Sequence, residues 1–406
     1  MKQTYRILPT YTSDVSGVCS ALYELGGLVV IHDPSGCNST YNTHDEIRWY
    51  DHDSLIFISA LTERDAVMGN DEKFYSDVLK AAKEFRPEFI ALTNSPIPWL
   101  MGTDFPALVK KLEKETGIPA FYVPANGMHD YTAGAGRALS LIAERLVDEC
   151  CRTPEKNSIN ILGLTPLDYA AKDSPQKLRA VFEGAGCKVI SSWAMDDPLE
   201  NIRHAGEAAV NLVVSASGLH AAKKLEQRFG TPYVIGTPVG LFTDKIIEAL
   251  ELAQNKKMNI NAYAQICNPS DSLQLTVLRS AAFCTEQSYP GRCAPPAQGR
   301  HEDSLTLIGD PVVMGSLAAA LRLRSGINTQ VLCPTETYEG LLLKEDAKVC
   351  GEEETEDLLK NAKTIIADPL YKLICPENTE FHPLPHLALS GRIYLKEMKA
   401  ITDLEV

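Results

Sequence analysis

The chain has 406 residues and a net charge of −14, which excludes nucleic acid as a main partner because phosphate binding needs a basic surface. Its 45% hydrophobic and 23% charged residues are ordinary for a globular protein of two or three domains. The sequence has neither an uninterrupted apolar run of about 18 residues, as a membrane span requires, nor the apolar core of a signal peptide at its start, so we expect a cytoplasmic protein.

Residues 1–155 predict a first α/β block. Its first apolar run, 27–31, is continuous rather than alternating, which is typical of a buried parallel strand. Strands are predicted at 28–31, 55–59, 89–92 and 120–123, and helices at 72–85, 105–116 and 132–150. This alternation favours a mainly parallel sheet with helices on both faces.

Two further blocks of the same kind follow, after a polar break at 151–157. The second block, 156–255, predicts strands at 159–162, 188–192, 211–214 and 232–235, with helices at 173–183, 199–208, 218–229 and 242–253. The third, 256–406, begins with an irregular connector to 303 and predicts strands at 305–308, 329–332 and 364–367, a helix at 311–325 and a terminal segment at 383–404. We therefore predict three Rossmann-like α/β domains, 1–155, 156–255 and 256–406.

Two cysteines flank the first strand. Cys19 precedes it on a loop or the start of a helix, and Cys37 follows it in a Pro- and Gly-containing turn. Thiolate pairs hold soft metals and iron–sulfur clusters, but a cluster normally takes four cysteines. Either other cysteines join the pair or a second protein chain supplies the rest.

Other polar residues follow predicted strands, where ligands bind in open α/β sheets. They are Ser95, Ser215 and Asp310. The segment 40–53, which contains His44 and His52, is interpreted as a solvated loop rather than a proton-donating site. His382 and His386 are equally compatible with a structural role and a pocket.

The remaining cysteines match no metal motif. The chain contains no CxxC pair and no ferredoxin spacing, so zinc ribbons and ferredoxin-type sites are disfavoured. Cys267, Cys284 and Cys293 with His301 are interpreted as connector residues rather than a cofactor site. The acidic run 351–357 is interpreted as a solvated face, and because GxxxxGK[ST] is absent no nucleotide is expected to bind this chain.

An ordered set of motifs resembles the nitrogenase component 1 family. The set includes Pro34-Ser35-Gly36-Cys37, Glu63-x-Asp65-x-Val67-x-Gly69, Ser95-Pro96, Met101-Gly102-x-Asp104, and Tyr131 with Gly134 at the start of a long helix. Weaker matches continue through both later blocks, at 211–214, 229–232 and 308–311. The resemblance covers nearly the whole chain.

The resemblance implies an iron–sulfur cluster at a subunit interface. In the family, three cysteines per subunit commonly hold it, and their positions fall here on Cys19, Cys37 and Ser95. A serine hydroxyl is a poor ligand for a soft metal, which leaves Ser95 as a neighbour of the cluster. Two cysteines from each of two subunits suit one [4Fe–4S] cluster, shared by a homodimer or by a pseudo-symmetric pair with a related chain.

The implied activity is reduction of a small substrate. An ATP-hydrolysing iron protein would supply electrons to the cluster, and the cluster would pass them on. Ser215 stands where the family's molybdenum–iron cofactor has a cysteine ligand, and the third block lacks an obvious match to its histidine ligand. Dinitrogen reduction is thus disfavoured, and a tetrapyrrole, another small molecule or a further metallocofactor remains.

Two rival hypotheses stay open. One is a non-catalytic scaffold on which a metallocofactor is assembled, a role that the same family serves. The other is a Rossmann-type ligand-binding protein whose cysteines are incidental. The sequence does not name the substrate.

Overall fold

The computed structural model describes residues 6–34, 36, 46–149, 154–267 and 305–404. The strands of the first sheet are β1 (Leu28–His32), β2 (Leu55–Ile58), β3 (Ile90–Asn94) and β4 (Ala120–Tyr122). They pair in parallel, in the order β2-β1-β3-β4. The five residues of β1 are all buried. The accompanying helices are α1 (Asp14–Leu22), α2 (Glu63–Met68), α3 (Asp71–Phe85), α4 (Pro96–Met101), α5 (Phe105–Thr116) and α6 (Tyr131–Arg145).

The side chains of β1 alternate between two apolar layers, because successive residues of a strand point to opposite faces. Leu28 and Val30 pack with the layer that α3 and α5 supply. Val29 and Ile31 pack on the other face, in the main core with α1 and α6. Burial on both faces explains why this strand is a continuous apolar run.

The second sheet has five parallel strands in the order β6-β5-β7-β8-β9. The strands are β5 (Glu155–Leu162), β6 (Lys188–Ser192), β7 (Ala208–Val213), β8 (Tyr233–Ile235) and β9 (Ile260–Asn261). Its helices are α7 (Ser174–Gly184), α8 (Leu199–Arg203), α9 (Leu219–Phe229), α10 (Phe242–Lys256) and α11 (Ala262–Cys267), with short 3-10 turns at His204–Glu207 and Ala216–Gly218.

The third sheet also has five parallel strands, in the order β12-β11-β10-β13-β14. The strands are β10 (Leu305–Ile308), β11 (Thr329–Cys333), β12 (Ala347–Lys348), β13 (Thr364–Ala367) and β14 (Glu380–Pro383). Its helices are α12 (Pro311–Ser325), α13 (Glu352–Leu359) and α14 (Leu387–Ser390), and 3-10 turns span Pro369–Ile374, Gly391–Glu397 and Ile401–Asp403.

Helices α1 and α6 cross with their backbones in contact. A Cβ atom on Gly17 would overlap the carbonyl group of Tyr131, and one on Gly134 would overlap the carbonyl group of Asp14. Side chains of α6 also pack against α9 and the turn Ala216–Gly218 of the second sheet. Helix α6 therefore joins the first two sheets, with α1 fixed against it.

The predicted fold class is confirmed: three mainly parallel sheets are flanked by helices. Two predicted helices were too long. The one predicted at 132–150 ends at Arg145, and beyond it the N–H of Asp148 donates to the carbonyl of Arg203 instead. The one predicted at 199–208 ends as a helix at Arg203, continues as a 3-10 turn that contains Gly206, and gives way to β7 at Ala208.

Parts of the connector lie beyond what the structure describes. Of the predicted irregular segment, 256–267 forms the end of α10, β9 and α11, and 268–303 lies outside the described residues. None of the described helices is long and apolar enough to cross a membrane.

Candidate functional site

Cys19 lies in the middle of helix α1 and is fully buried. Two residues earlier, Gly17 meets the backbone of Tyr131, so the position of the helix carrying the thiol is set by main-chain contact. Burial raises the pKa of the Cys19 thiol, and the nearby carboxylate of Glu46 raises it further.

The first turn of α1 is tied to the loop before α6 through Asp14. Its buried carboxylate accepts hydrogen bonds from the backbone N–H groups of Asn126 and Gly127, both at 2.9 Å. Charge-assisted bonds of this kind are among the stronger ones in proteins. They fix the start of the helix that carries Cys19.

Ser95 follows β3 and is buried at the N-terminus of α4. Its backbone N–H donates to the carbonyl of His32, the last residue of β1, at 3.2 Å. Its hydroxyl is buried and has no hydrogen-bond partner in the described part of the chain. Since β1 leads into the turn before Cys37, Ser95 lies at the sheet edge that this turn leaves.

His32 shares that edge. Its ring stacks on Phe74 with the ring centroids 4.1 Å apart, and its Nδ1 lies 2.7 Å from the hydroxyl of Ser59. Burial lowers the pKa of His32 to about 4, so the imidazole is neutral near pH 7. Its Nε2 is buried without a partner among the described residues.

Cys37 lies outside the described residues, as do Cys150, Cys151, Cys284, Cys293 and the histidines at 44 and 301. The structure therefore does not show whether Cys19 and Cys37 come together, and the pair stays a prediction. Within the described ranges, no group of three or more His, Cys, Asp or Glu side chains is placed to hold a metal ion. Cys187 packs against the core and Cys267 ends α11, both partly buried.

Ser215 follows β7 as predicted, but its hydroxyl forms a hydrogen bond within the protein. It donates to the carbonyl of Gly163 at 2.7 Å and is fully buried. The hydroxyl therefore holds two loops together at the ends of β5 and β7.

The prediction of a solvated loop at 40–53 is wrong for the residues around Arg48. Arg48 is buried, and its guanidinium pairs with the carboxylates of Glu46 at 2.7 Å and Glu24 at 2.9 Å. It also donates to the carbonyl groups of Ser20 and Ala194. Two carboxylates and two carbonyls compensate the cost of burying this charge, and they join α1 to the second sheet.

Two adjoining cavities, which we together call the cleft, open beside this network and share the lining residues Ile47 and Ala170–Lys172. The smaller cavity, of about 90 Å³, is also lined by residues that include Arg48, Tyr169 and Met195. The larger, of about 480 Å³, is also lined by Asp173, Leu395 and Met398. The cleft thus combines apolar walls with a lysine, Lys172, and acidic groups at its rim.

Close to the cleft, one side chain from each of the three α/β blocks meets at Asp168. The hydroxyl of Tyr131 donates to Asp168 Oδ1 at 2.6 Å, and Nε2 of His386 lies 3.3 Å from the same oxygen. Asp168 follows β5, Tyr131 begins α6, and His386 precedes α14. His386 was noted from the sequence, whereas Asp168 was missed because it stands well beyond the end of its strand.

Asp310 lies in the same region. It caps α12 through the N–H groups of Val312 and Val313, and it accepts a third bond from Ala216 N–H at 3.0 Å. Burial raises the pKa of Asp310, and the charge of Asp168 raises it further. The strand-end position predicted for Asp310 is confirmed, and its contacts hold the third block to the second.

The acidic run 351–357 is not simply a solvated face. Glu352 is buried, and one carboxylate oxygen accepts the backbone N–H groups of Arg6, Ile7 and Leu8 at 2.7 to 3.0 Å. These bonds lower the pKa of Glu352 against the opposing effect of its burial. The carboxylate anchors the N-terminal segment on the third sheet.

Residues 16–265 match the family model for nitrogenase component 1 type oxidoreductases. One subunit of the light-independent protochlorophyllide reductase of Staurastrum punctulatum is 24% identical over 247 residues, which cover 58% of this chain and 47% of that protein. A nitrogenase iron-molybdenum cofactor biosynthesis protein, NifE, of Nostoc sp. is 26% identical over 184 residues, which cover 44% of this chain and 37% of that protein. The nitrogenase molybdenum-iron protein alpha chain of Methanosarcina barkeri is 23% identical over 232 residues, which cover 54% of this chain and 43% of that protein.

A solved structure described as nitrogenase Cp1 at pH 6.5 superposes with a TM-score of 0.66 and 19% identity, covering 97% of this chain and 90% of that one. This similarity concerns the fold. The chain spans about half the length of the curated relatives that it matches.

Proposed function

The chain belongs to the nitrogenase component 1 type oxidoreductase family, and we propose that it is one subunit of an iron–sulfur reductase. Cys19 and Cys37 of two subunits would hold a [4Fe–4S] cluster between them. The cluster would receive electrons from an ATP-hydrolysing iron protein and pass them to a small substrate. The observation that carries the proposal is the burial of Cys19 on helix α1, whose position is fixed by main-chain contact with α6. The chain leaves the carboxyl edge of the first sheet at the end of β1 and continues towards Cys37.

The sequence supplies half of such a site. A cluster needs four thiolates, and this chain offers Cys19 and Cys37, of which the structure describes Cys19. Ser95 supports the placement, because its buried hydroxyl lacks a partner among the described residues at that edge. A bound cluster would supply low-potential electron transfer, while the chain holds the thiols in place and keeps water from them.

Large apolar side chains are exposed at the same edge. Helix α2, helix α4 and the loop after β4 follow β2, β3 and β4, and Val67, Leu100 and Met128 on them are 78%, 76% and 79% exposed. Exposed apolar side chains that form a patch mark interaction sites. A second subunit seated here would cover this surface and bring its own two cysteines to the cluster.

The test is anaerobic purification followed by iron and sulfide counting and native mass measurement. We expect about four irons per dimer, because four thiolates hold one [4Fe–4S] cluster. Cys19→Ser and Cys37→Ser should each abolish the iron, whereas Cys350→Ser, at an exposed cysteine, should retain it. Protein without iron would overturn the proposal, and about eight irons per dimer would overturn the cluster type.

The scaffold hypothesis remains the second candidate, because a cofactor biosynthesis protein matches this chain as well as a component of a reductase does. A reductase should oxidise its cluster when a substrate is added together with the ATP-dependent partner. A scaffold should bind a metallocofactor and release it to an acceptor protein without turnover.

A further inference from the structure

A buried group of three charged side chains lies at the C-terminal end of α1, the helix that carries Cys19. We call it the arginine network, and it consists of Arg48, Glu46 and Glu24, whose side chains are 7%, 2% and 8% exposed. The guanidinium binds Glu46 with two nitrogens: Nε donates to Oε1 at 2.7 Å, and Nη2 donates to Oε2 at 2.9 Å. This two-bond geometry is the one that arginine forms with an ionised carboxylate.

Arg48 lies against the last turn of α1. Its Nη2 also donates to the carbonyl of Ser20 at 2.8 Å, and its guanidinium carbon lies 4.7 Å from the centre of the Tyr23 ring. A cation is favourable at this end of a helix, where the last carbonyl groups lack partners within the helix.

These contacts place the arginine network beside Cys19. Ser20 is the next residue along the helix. Tyr23 has helical backbone angles and follows Cys19 by four residues, so the two side chains share one side of α1. The guanidinium that bonds to Ser20 and covers Tyr23 therefore holds the Glu46 carboxylate close to the turn that carries the thiol.

The charge of Glu46 reaches that thiol. It adds to the effect of burial in raising the pKa of Cys19, because a negative charge nearby disfavours a second one on the sulfur. Cys19 and Glu46 are both buried, so solvent screens their interaction much less than it screens surface charges.

We propose that Glu46, held in place by Arg48, lowers the reduction potential of the cluster that Cys19 would help to hold. The inference rests on the proposed function and concerns the same site, because a reductase of this kind depends on electrons of low potential.

The physical reason is the sign of the charges. A cluster bound by thiolates gains one negative charge with each electron, and its potential depends on the charges, hydrogen bonds and solvent around it. A buried carboxylate opposes that added charge and so makes the electron easier to pass on. One electron enters from the iron protein and one leaves to the substrate, and no bond of Glu46 or Arg48 is formed or broken.

Redox titration of anaerobically purified protein, followed by electron paramagnetic resonance of the reduced cluster, measures the potential. In Glu46→Gln, which keeps the shape of the side chain, we expect the midpoint potential to rise. A unit charge roughly 10 Å away in a partly buried setting changes the ratio of reduced to oxidised cluster by about tenfold, which is about 59 mV for one electron.

The double variant Glu46→Gln/Arg48→Gln removes one charge of each sign. Its potential should return towards the wild-type value, because the two losses act in opposite directions. A disturbance that merely lets water reach the cluster would not be reversed in this way, so a double variant that shifts further than Glu46→Gln in the same direction would contradict the proposal. If the double variant does not fold, the potential of Glu46→Gln alone decides.

Asp51→Asn is the matched control. Asp51 lies on the same segment as Glu46, and its carboxylate is 47% exposed and pairs with Lys172. Because water screens this charge, Asp51→Asn should leave the potential unchanged. Equal shifts in Asp51→Asn and Glu46→Gln, or no shift in Glu46→Gln, would overturn the role of Glu46.

Iron counting on the same samples separates the two proposals. Wild-type protein without iron would overturn both. A normal iron content with equal potentials in the wild type and Glu46→Gln would overturn only the role of Glu46 and leave the reductase in place. Loss of iron in Glu46→Gln would show that the carboxylate serves assembly of the site rather than its potential.

Discussion

Buried carboxylates that hold backbone segments are the characteristic feature of this protein at the scale of single residues. Asp14 binds two N–H groups of the loop before α6, and Glu352 binds three N–H groups of the N-terminal segment. Each side chain replaces water as the partner of main-chain donors. Because charge-assisted hydrogen bonds contribute more than neutral ones, each of these carboxylates should matter for stability.

Replacing Glu352 by Gln should lower the free energy of unfolding by about 1 to 3 kcal/mol, because the three backbone donors lose a charged acceptor. Glu353→Gln is the matched control, because Glu353 is the next residue and its side chain is exposed. It should change the free energy of unfolding by less than about 0.5 kcal/mol. Urea unfolding at pH 7 measures both. Equal effects of the two substitutions would contradict the role assigned to Glu352.

The effect of Glu352→Gln should also depend on pH. The pKa of Glu352 is lowered in the folded protein, so its stabilisation is complete above the pKa of an unfolded glutamate. The stabilisation is lost as the pH falls through the folded value, where the carboxylate takes up a proton. Wild type and variant should therefore converge in acid, and a difference that persists there would argue against the carboxylate as its source.

The sequence predicted some of these residues and missed others for a physical reason. Ser95, Ser215 and Asp310 could be placed because the end of a strand is visible as the end of an apolar run. Asp168 and Arg48 could not, since their partners lie in segments far away along the chain. The chemistry of Cys37 stays a prediction because it lies outside the described residues.

At the scale of helices and strands, the crossing of α1 and α6 is the feature that places Cys19. Gly17 and Gly134 let the two backbones touch, and neither position leaves space for a Cβ atom. The two backbones can come this close only because Gly17 and Gly134 have no side chain between them. It fixes the separation of the two helices.

Gly17→Ala or Gly134→Ala should each destabilise the protein by more than about 2 kcal/mol, because the new methyl group must push one helix away from the other. Gly184, the last residue of α7, has open space around it. Gly184→Ala should be neutral or stabilise by up to about 1 kcal/mol, since alanine favours a helix.

Thermal unfolding distinguishes the two cases. The substitutions at the crossing should also lower the iron content of anaerobically purified protein, while Gly184→Ala should not. A stable Gly17→Ala variant with normal iron would show that the crossing can relax.

Long helices and buried strands were predicted well, and short helices were not. The predicted bounds of α5 and α12 agree with the structure, because both helices begin with a proline near the first turn and end at a glycine. Helices α2 and α4 have six residues each, too few for an apolar period to show. Helix α1 is buried on nearly every side, which removes the alternation of polar and apolar residues that marks a surface helix.

At the scale of the whole molecule, acidic groups gather where the sheets meet. Burial raises the pKa values of Asp310, Asp130 and Asp346, the latter two to about 6, and the pKa of His386 is raised as well. All four groups bind protons more tightly in the folded protein than in the unfolded chain. By linkage, their contribution makes stability fall as the pH rises.

Each of these four groups should lower the free energy of unfolding as the pH rises, by about 1.4 kcal/mol per pH unit for each proton released on unfolding. Burial lowers the pKa of His32 and His220 to about 4, and these two imidazoles have the opposite effect below the pKa of an unfolded histidine. For His386 the stabilisation is present below the unfolded pKa and is lost as the pH passes the folded one. For Asp310 the unfolded carboxyl ionises first, so each further pH unit favours unfolding until the folded carboxyl ionises too.

Urea unfolding between about pH 5 and pH 8 tests the expectation. His386→Gln and Asp310→Asn should each make the dependence on pH shallower, whereas His382→Gln should not. A dependence on pH that neither His386→Gln nor Asp310→Asn makes shallower would contradict the raised pKa values of these two groups.

The three-sheet architecture was predictable because strands and helices alternate regularly along the chain, and that pattern permits few folds. The way the blocks meet was not predictable. It depends on pairs such as Asp310 with Ala216 and Arg48 with Ala194, each of which joins residues that are distant along the chain. Periodicity carries no information about such contacts.

The backbone contact between α1 and α6 has a consequence for sequence divergence. A helix positioned by side-chain packing shifts whenever its neighbours change size, but a helix seated on another backbone keeps its place as the surrounding core is replaced. A library that randomises the apolar residues around α1 while keeping Gly17 and Gly134 should therefore yield many folded variants with the Cys19 thiol in its original location. The apolar residues around α1 can therefore change during divergence without moving this helix, provided that Gly17 and Gly134 are kept.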